Sequence, residues 1–442
     1  MSVLHIRGHI GLVTATLIFW APALAFGQEQ VRLVEALPPG AQYNVSCRVD
    51  VTGSLTLPLE KGQTTPKTLA VSGTSVIDYH ERVLTLNPQQ HVKTTIRMYR
   101  KLDFERKVGD QRQSTTLRPE VRRMVILRQN QVEVPFSPDG PMTWNELDLV
   151  RTDVFTPALV GLLPAQAVKL NDRWQAAAYS IQELTDLDKI EEGIVTCQLD
   201  QLTKVNGRRQ ARVSFKGAVR GVGEDGPTRH TLDGYLLFDA ESNHISYVTV
   251  RGTQQLLDKD GKTVGKIEGT FVLTRRPEAS KDLSDAVLRT LKLEPNEDNT
   301  QLLYDNPELG LRFLHPRRWR VAGVRGQQLG LDENSGSGLL LTLEPLKELP
   351  TAAQFLQESR TYLEQQKAKI LRVDPVRQLQ GGAKAVDQFA LEVEIGGQKA
   401  LMNYFVLRQA KGGATIAARV QPAQQNLILQ DLEKIVKSMQ IQ

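Results

Sequence analysis

Apolar and polar residues alternate along much of the chain between residues 31 and 277. In the segment QYNVSCRVDVTG, every second position from Tyr43 to Val51 is apolar or cysteine, and polar side chains stand between them. Because successive side chains of a strand point to opposite faces of a sheet, this spacing places the apolar set on one face. The same alternation recurs in KTTIRMYRKLDFE, RRMVILRQNQVEV, QARVSFKGAV, GYLLFD and HISYVTVRGTQQLL. Strands with one solvated face are typical of antiparallel sheets, so residues 28–277 are predicted to form an antiparallel β-rich domain, a curved sheet or an open barrel.

One helix interrupts these predicted strands, in the segment PMTWNELDLVRTDVF. Thr143 can cap its first turn, and Glu146, three residues later, can bond back to the cap, which is the capping-box pattern. Trp144 and Leu147 begin an apolar stripe that can pack on the sheet. The first domain is therefore predicted to combine its sheet with one helix.

Two turn segments carry a resemblance to a known class of proteins. The segment LLPAQAVKLNDRWQ joins a polar turn, Asn171-Asp172, to Trp174, and GYLLFDAESNHISYVTVRG has a second polar turn before its last strand. Together they resemble a class of exported bacterial β-rich proteins, of uncharacterised function, that carry LLP…V…GD.W followed by FD.E.G.I. Asn171 and Asn243 stand where that pattern has Gly, and both residues tolerate left-handed backbone geometry. The resemblance implies an exported fold and no particular chemistry.

The composition changes after the predicted β-domain. Residues 278–302 are rich in charged side chains and contain Pro295, Asn296 and Asn299, and we interpret them as a linker with a short helix from Asp282 to Leu291. In residues 303–442 strands precede a helix that begins at Ala352, after the cap residue Thr351, and further strands precede an amphipathic helix at the end of the chain.

The segment PELGLRFLHPRRWR opens this second region, and its residue pattern predicts a hairpin. One strand ends at His315, a turn follows, and Trp319 begins the return strand on its core face. The alternation leaves Arg318 and Arg320 pointing outward, so Trp319 is predicted to stabilise the domain and the arginine pair Arg317 and Arg318 to matter little.

The order of elements in this region, with Tyr304, Gly310, Phe313, Pro316 and Trp319, resembles the superfamily of the photosystem II extrinsic protein PsbP and the Ran-binding Mog proteins, including exported bacterial relatives. This likeness implies a C-terminal α/β/α sandwich, and hence an α+β chain overall. Members mostly bind macromolecules or stabilise assemblies, so it implies an interaction module. It carries over no metal-binding or partner-binding residue, because the chain has no matching positions.

The N-terminus predicts export. Arg7 is followed by the uncharged stretch GHIGLVTATLIFWAPALAFGQ, whose small residues at 23–27 suit a cleavage site, so residues 1–27 are predicted to be a signal peptide. An uncleaved anchor is the alternative, but the apolar core is shorter than the ~20 residues needed to span a bilayer. We predict no span after the leader. Since Cys47 lies far from the leader's apolar core, we expect a periplasmic or secreted protein that is not a lipoprotein.

The two cysteines of the exported chain leave two interpretations open. An oxidising compartment would permit Cys47 and Cys197 to form a disulfide, which requires a short Cα separation that the sequence does not give. Two buried free thiols are the alternative.

Charge adds one local feature. The whole chain has 55 basic and 50 acidic residues, a dilute balance that argues against a nucleic-acid partner. Between Lys93 and Arg128, however, eleven Lys or Arg face four Asp or Glu. Strand periodicity places Arg97, Arg122 and Arg128 on outward faces, so a solvated surface is the default. The sharper hypothesis is an anion-binding face for envelope polysaccharide, anionic lipid or an acidic protein.

No catalytic, cofactor-binding or metal-binding residues emerge. YHERV lacks the second His of a zinc protease motif, and GKTVGK lacks the spacing of a phosphate loop. Five histidines follow the leader without ligand spacing, at His80, His91, His230, His244 and His315. We therefore expect a non-catalytic exported protein, a binding, interaction or scaffold module of the bacterial envelope whose partner is an envelope component or another protein. The alternatives are a carrier that encloses a lipid or other apolar ligand in the β-domain and, less favoured, a hydrolase without a recognisable motif.

Overall fold

The computed structural model describes most of the chain, in residues 30–57, 66–129, 132–205, 207–224, 226–379 and 385–442. The predicted signal peptide lies outside the described residues. No helix within the described ranges is long and apolar enough to cross a bilayer.

A large antiparallel sheet occupies the first two thirds of the chain. Its strands are β1 (Gln42–Thr56), β2 (Thr68–Leu86), β3 (Val92–Val108), β4 (Gln111–Thr116), β5 (Arg123–Gln129), β6 (Val132–Phe136), β7 (Arg173–Gln175), β8 (Lys189–Val205), β9 (Arg208–Gly223), β10 (Gly226–Asp239), β11 (His244–Leu257) and β12 (Thr263–Pro277). They lie in the order β6-β5-β3-β2-β1-β12-β11-β10-β9-β8-β7, and β4 pairs with β3. The β-rich prediction for this region is confirmed.

One face of this sheet, the inner face, holds the core. Cys47, Leu273, Val248, Leu236 and Val213 are directly opposite one another on successive strands, and all are buried. They pack with apolar residues of three short helical segments, which are α1 (Trp144–Arg151), a 3₁₀ helix (Thr156–Leu162) and α2 (Ala178–Thr185). The sequence predicted α1 and missed the other two.

Two local predictions are confirmed. The Thr143 hydroxyl accepts a hydrogen bond from the Glu146 amide at 3.3 Å, and a Glu146 carboxylate oxygen accepts one from the Thr143 amide at 2.8 Å. Asn171 and Asn243 have φ angles of 70° and 50°, the left-handed geometry expected where the related pattern has Gly. In both cases the residues that determine the geometry are close in sequence.

Residues 278–302 pack on the opposite, outer face of the sheet. They contain a 3₁₀ helix (Lys281–Leu283) and α3 (Asp285–Leu288), and Leu283 and Leu288 are buried against apolar side chains of β3, β5 and β6. Arg82 donates to the Leu283 carbonyl oxygen at 2.7 Å. The division of the chain into domains at this segment stays a prediction, but the segment itself is docked on the sheet.

Two further antiparallel sheets follow. A three-stranded sheet has the order β13-β14-β22, and a seven-stranded sheet has the order β15-β16-β17-β21-β20-β19-β18. Their strands are β13 (Leu302–Asn306), β14 (Leu311–His315), β15 (Trp319–Arg325), β16 (Gln328–Glu333), β17 (Gly338–Glu344), β18 (Lys369–Gln378), β19 (Ala385–Ile395), β20 (Gln398–Gln409), β21 (Gly412–Val420) and β22 (Gln440–Ile441). The helices are α4 (Ala352–Gln365) and α5 (Gln425–Ser438).

The expected C-terminal α/β/α sandwich is wrong. Seven strands at a spacing of ~4.8 Å span about 29 Å, whereas one helix is only about 10 Å wide. Helix α4 lies beside β18 and β19 and buries only Ala352, Ser359 and Leu363 of its own residues. Helix α5 packs on the other face, where residues of the three-stranded sheet join the same core. The helices are thus additions to antiparallel sheets and do not form layers.

The predicted opening hairpin is also corrected. Strands β14 and β15 belong to different sheets, so the turn between His315 and Trp319 carries the chain from one sheet to the next. Trp319 is fully buried, as predicted. Arg318 does not point freely outward, because it forms an ion pair with the buried carboxylate of Asp431 on α5, at 2.5 Å.

Candidate functional site

The three arginines of the predicted anion-binding face are not gathered on one surface. Arg97 is fully buried on the inner face, where it forms ion pairs with Glu81 at 2.9 Å and Asp153 at 2.8 Å. Arg128 is mostly buried beside Glu183 and Glu133, and only Arg122 is exposed. The outward assignment is therefore wrong for Arg97 and Arg128.

The physical reason for this error lies on the other side of β3. Ile96 and Met98, which alternate with Arg97, pack against the docked segment 278–302 on the outer face. At this point of β3 the apolar side chains therefore point to the outer face, and the polar side chains that alternate with them point to the inner face. Periodicity alone cannot reveal that a distant segment covers a strand.

The buried ionisable residues around Arg97 and Arg128 form one group, which we name the core carboxylate cluster. It comprises Arg97, Arg128, Glu81, Glu133, Asp153 and Glu183. Burial raises the pKa of Asp153 to about 7, although Arg97 opposes the shift. Burial, together with the charge of Glu183, raises the pKa of Glu133 to about 7. Four carboxyl groups share two guanidinium groups, so the cluster holds protons that ordinary carboxylates would lose.

This cluster joins the sheet to the helical segments inside it. The Thr156 hydroxyl donates to Glu81 at 2.8 Å, and the Phe155 amide donates to Glu183 at 2.6 Å. Perturbed pKa values often mark functional sites, but structural ion-pair networks perturb them as well. Since Arg97 and Glu81 have no exposed surface, we interpret the cluster as structural.

The two cysteines are both free thiols on the inner face, and both are buried. Strands β12, β11, β10 and β9 lie between β1, which carries Cys47, and β8, which carries Cys197. Burial raises the pKa of Cys197 to about 12 and holds the pKa of Cys47 well above its ordinary value. Of the two interpretations, the structure contains the two buried free thiols and no disulfide between Cys47 and Cys197. Thiols with such raised pKa values are unreactive.

A groove on the outer face provides a surface of the size that ligands use. We name it the outer groove; it has a volume of about 830 Å³ and crosses β9, β10, β11, β12 and β1. Two rows of side chains form its walls. The first row is Lys216, Asp233, Arg251, Thr270 and Asp50, and the second is Ala218, Thr231, Thr253, Glu268 and Thr52.

The main chain between the two rows forms the floor of the groove. Gly217, Leu232, Gly252 and Gly269 occupy this line, and their side-chain positions point to the inner face. A Cβ on Gly217 would lie 2.1 Å from the Ile194 carbonyl oxygen of the neighbouring strand. Only glycine permits this close approach of the two strands, so the sequence determines the local shape of the sheet here.

The acidic side chains of the outer groove already have basic partners. Asp50 binds Arg48 at 2.7 Å, and Asp233 binds Lys216 at 2.7 Å. Glu268 binds Lys266 at 2.6 Å. Hydrogen bonds from these partners lower the pKa of Asp50 and of Glu268, which favours their ionised forms.

Arg251 differs from these residues, because no carboxylate of the described chain pairs with it. It stands in the middle of the first row, directly opposite Asp233 on one side and Thr270 on the other. Thr253 follows two residues later on the same face. The outer groove thus presents one unpaired cation among hydroxyl groups and neutralised ion pairs.

An aromatic pair adjoins the groove on the same face. Tyr235 lies two residues beyond Asp233 on β10, and its ring centroid is 5.8 Å from that of Tyr247 on β11. The Arg212 guanidinium lies 4.4 Å from the centre of the Tyr235 ring. Both tyrosines are half-buried, so part of each side chain is exposed.

Sequence reasoning missed this site. The signal was present as polar residues at a spacing of two, such as Thr231 and Asp233 or Arg251 and Thr253. That spacing shows a solvated face, but it does not show which strands are neighbours. The pairing of β1 with β12 joins residues more than 200 positions apart, such as Asp50 and Thr270.

Comparisons with known proteins do not assign the chain to a family. No protein-family model and no curated protein matches it. Among solved structures, cyanobacterial PsbP (CyanoP) from Synechocystis sp. is 13% identical with a TM-score of 0.26, over 32% of this chain and 92% of that one. Lipovitellin is 8% identical with a TM-score of 0.32, over 65% of this chain. The match covers only 29% of the lipovitellin chain. These similarities are too weak to show a shared fold, so the PsbP and Mog resemblance stays a prediction.

Proposed function

We propose that this chain is an exported, non-catalytic binding protein of the bacterial envelope, and that the outer groove is its ligand-binding surface. The observation that carries the proposal is that Arg251, at the centre of a groove of about 830 Å³, has no carboxylate partner among the described residues. Ligand sites typically have volumes of ~300–1,000 Å³ and place a few polar groups so that they orient the ligand. Export rests on the signal-peptide pattern of residues 1–27.

The charge state of the groove favours binding over hydrolysis. A glycosidase needs one carboxylic acid with a raised pKa, which can protonate a leaving group. In the outer groove the pKa of Asp50 and of Glu268 is lowered, because Arg48 and Lys266 donate hydrogen bonds to the ionised forms. These two side chains are better suited to hold a ligand than to transfer a proton.

The arrangement of the inner face makes the carrier alternative less favourable. Its side chains pack with the protein's own helical segments, and Phe215, Phe238 and Leu236 are fully buried there. An apolar ligand in this region would have to displace α2 or the 3₁₀ helix at Thr156–Leu162. The outer groove needs no such rearrangement.

A binding screen with a groove-blocking variant tests the proposal. The mature chain would be screened against neutral and acidic envelope polysaccharides and against phospholipid vesicles. Thr253→Trp fills the groove, and Thr263→Trp places the same side chain at an exposed position of β12 outside it. We expect the ligand found in this screen to bind the wild type and Thr263→Trp, and to lose at least tenfold in affinity for Thr253→Trp. Equal binding to both variants would refute the proposal.

A further inference from the structure

We propose that the ligand of the outer groove is an acidic polysaccharide, whose carboxylate binds Arg251 and whose sugar rings pack against Tyr235 and Tyr247. This inference rests on the proposed function, because it names the ligand class of the same groove. It depends on three features of the described residues, namely the charge pattern, the hydroxyl groups and the aromatic pair.

The charge pattern favours a singly charged anion. Within the part of the chain that the structure describes, Arg251 is the groove cation without a carboxylate partner, and a guanidinium can bind both oxygens of a carboxylate. Asp50, Asp233 and Glu268 stand in the same walls. Their ion pairs reduce their repulsion of an incoming anion but do not abolish it, so a dianionic phosphate would meet a larger penalty than a carboxylate.

The hydroxyl groups favour a sugar over an acidic peptide. Thr52, Thr231, Thr253 and Thr270 line the groove, and a hydroxyl can both donate and accept, as sugar hydroxyls do. A peptide would need main-chain partners. The floor cannot supply them, because its strands are in the interior of the sheet and their amides and carbonyls are paired with neighbouring strands.

The aromatic pair favours a polymer over a single sugar. Tyr235 lies two residues from Asp233 along its strand, and Tyr247 lies four residues from Arg251. At ~3.4 Å per residue these separations are about 7 and 14 Å. One sugar ring therefore cannot bind Arg251 and also pack against both tyrosines. Aromatic faces pack well against the C–H groups of sugar rings, and the contact of Arg212 with Tyr235 holds that ring in place.

Matched oligosaccharides test the inference. The probes are a short polygalacturonate oligosaccharide and its methyl ester, which has the same backbone without the charge. We expect the wild-type chain to bind the acid more tightly than the ester, with an affinity that falls as salt is added. Arg251→Gln should weaken binding of the acid at least tenfold and leave the ester unchanged. Tyr247→Ala should weaken binding of both probes.

Arg122→Gln, at an exposed arginine that directly precedes β5, is the control and should bind like the wild type. If the acid and the ester bind equally well and Arg251→Gln has no effect, the acidic ligand class is wrong, although the groove still binds glycans. Tighter binding of dextran sulfate than of polygalacturonate would overturn the carboxylate assignment. If no glycan binds at all, the inference fails, whereas the proposed function fails only if Thr253→Trp weakens the binding of no other ligand in the screen either. Circular dichroism of each variant verifies that it is folded.

Discussion

At the scale of single residues, Arg97 shows how a charge is held inside this protein. Its guanidinium donates to Glu81, Asp153, the Tyr99 hydroxyl and the Val154 carbonyl oxygen, at 2.8 to 3.2 Å. It also lies 4.7 Å from the centre of the Tyr79 ring. The buried charge of Arg97 is thereby satisfied by several neighbours, which is the condition for keeping a charge in a core.

Removal of Arg97 should therefore be costly. Arg97→Ala leaves Glu81 and Asp153 buried without their cation, and such a change typically costs about 3 to 5 kcal/mol of unfolding free energy. Urea unfolding of the wild type and the variant measures the difference. The control is Arg122→Ala, at an exposed position where we expect a change within about 0.5 kcal/mol. Equal losses in the two variants would contradict the buried assignment of Arg97.

At the scale of secondary-structure elements, Asp431 fixes α5 to the start of β15. Its carboxylate accepts from the Trp319 indole at 2.9 Å and from two nitrogens of Arg318, at 2.5 and 2.6 Å. Asp431 is 2% exposed, so both partners are needed to satisfy it. The segment HPRRW is thus a junction between a helix and a sheet.

Substitutions at this junction should show how much Trp319 and Arg318 each contribute to stability. Trp319→Ala removes a fully buried side chain and should destabilise the C-terminal region by about 3 to 5 kcal/mol. Arg318→Ala should cost about 1 to 3 kcal/mol, because it leaves the buried Asp431 with one partner fewer. Arg325→Ala, at an exposed position of the same strand, is the control. Thermal unfolding of the three variants measures these differences. If Arg318→Ala unfolds at the same temperature as the control, Arg318 does not stabilise the contact between α5 and β15.

Elements whose signals are local could be predicted from the sequence. Thr143 and Thr351 both begin capping boxes, and the helices they start were predicted at nearly the observed positions. Helix α2 has no such signal, because Ala177 supplies no capping side chain. The sandwich prediction failed for a different reason. The resemblance to PsbP and Mog proteins implied two helical layers, but the combined width of α4 and α5 is too small to cover seven strands.

At the scale of the whole molecule, the C-terminal sheets contact the large sheet through the same HPRRW segment. Arg317 donates to the carbonyl oxygens of Pro135 at 2.5 Å and of Thr300 at 2.9 Å. The Trp144 indole donates to the Trp319 carbonyl oxygen at 3.3 Å. The sequence suggested that Arg317 is of little structural importance. Its contacts come from segments distant in the chain, and local periodicity cannot show them.

The pH dependence of stability is also a property of the whole molecule, and the core carboxylate cluster should dominate one part of it. Burial raises the pKa of Glu133 from 4.5 to about 7 in the folded chain, so the folded state holds a proton that the unfolded state has lost. The stability from this proton is full below about pH 4.5 and is lost as the pH rises through about 7. Asp153, whose pKa is also raised to about 7, acts in the same direction.

Glu133→Gln should remove the Glu133 part of this dependence, because the amide is neutral at every pH. Unfolding free energies would be measured in urea at several values between pH 5 and 8. The unfolding free energy of the variant, relative to that of the wild type, should increase as the pH rises, by at most ~1.4 kcal/mol per pH unit. The difference between the two chains is the informative quantity. Buried histidines such as His230, with a pKa lowered to about 4, oppose the trend equally in both. Glu120→Gln, at an exposed position, is the control. A difference between Glu133→Gln and the wild type that stays constant with pH would show that Glu133 is ionised in the folded protein throughout this range.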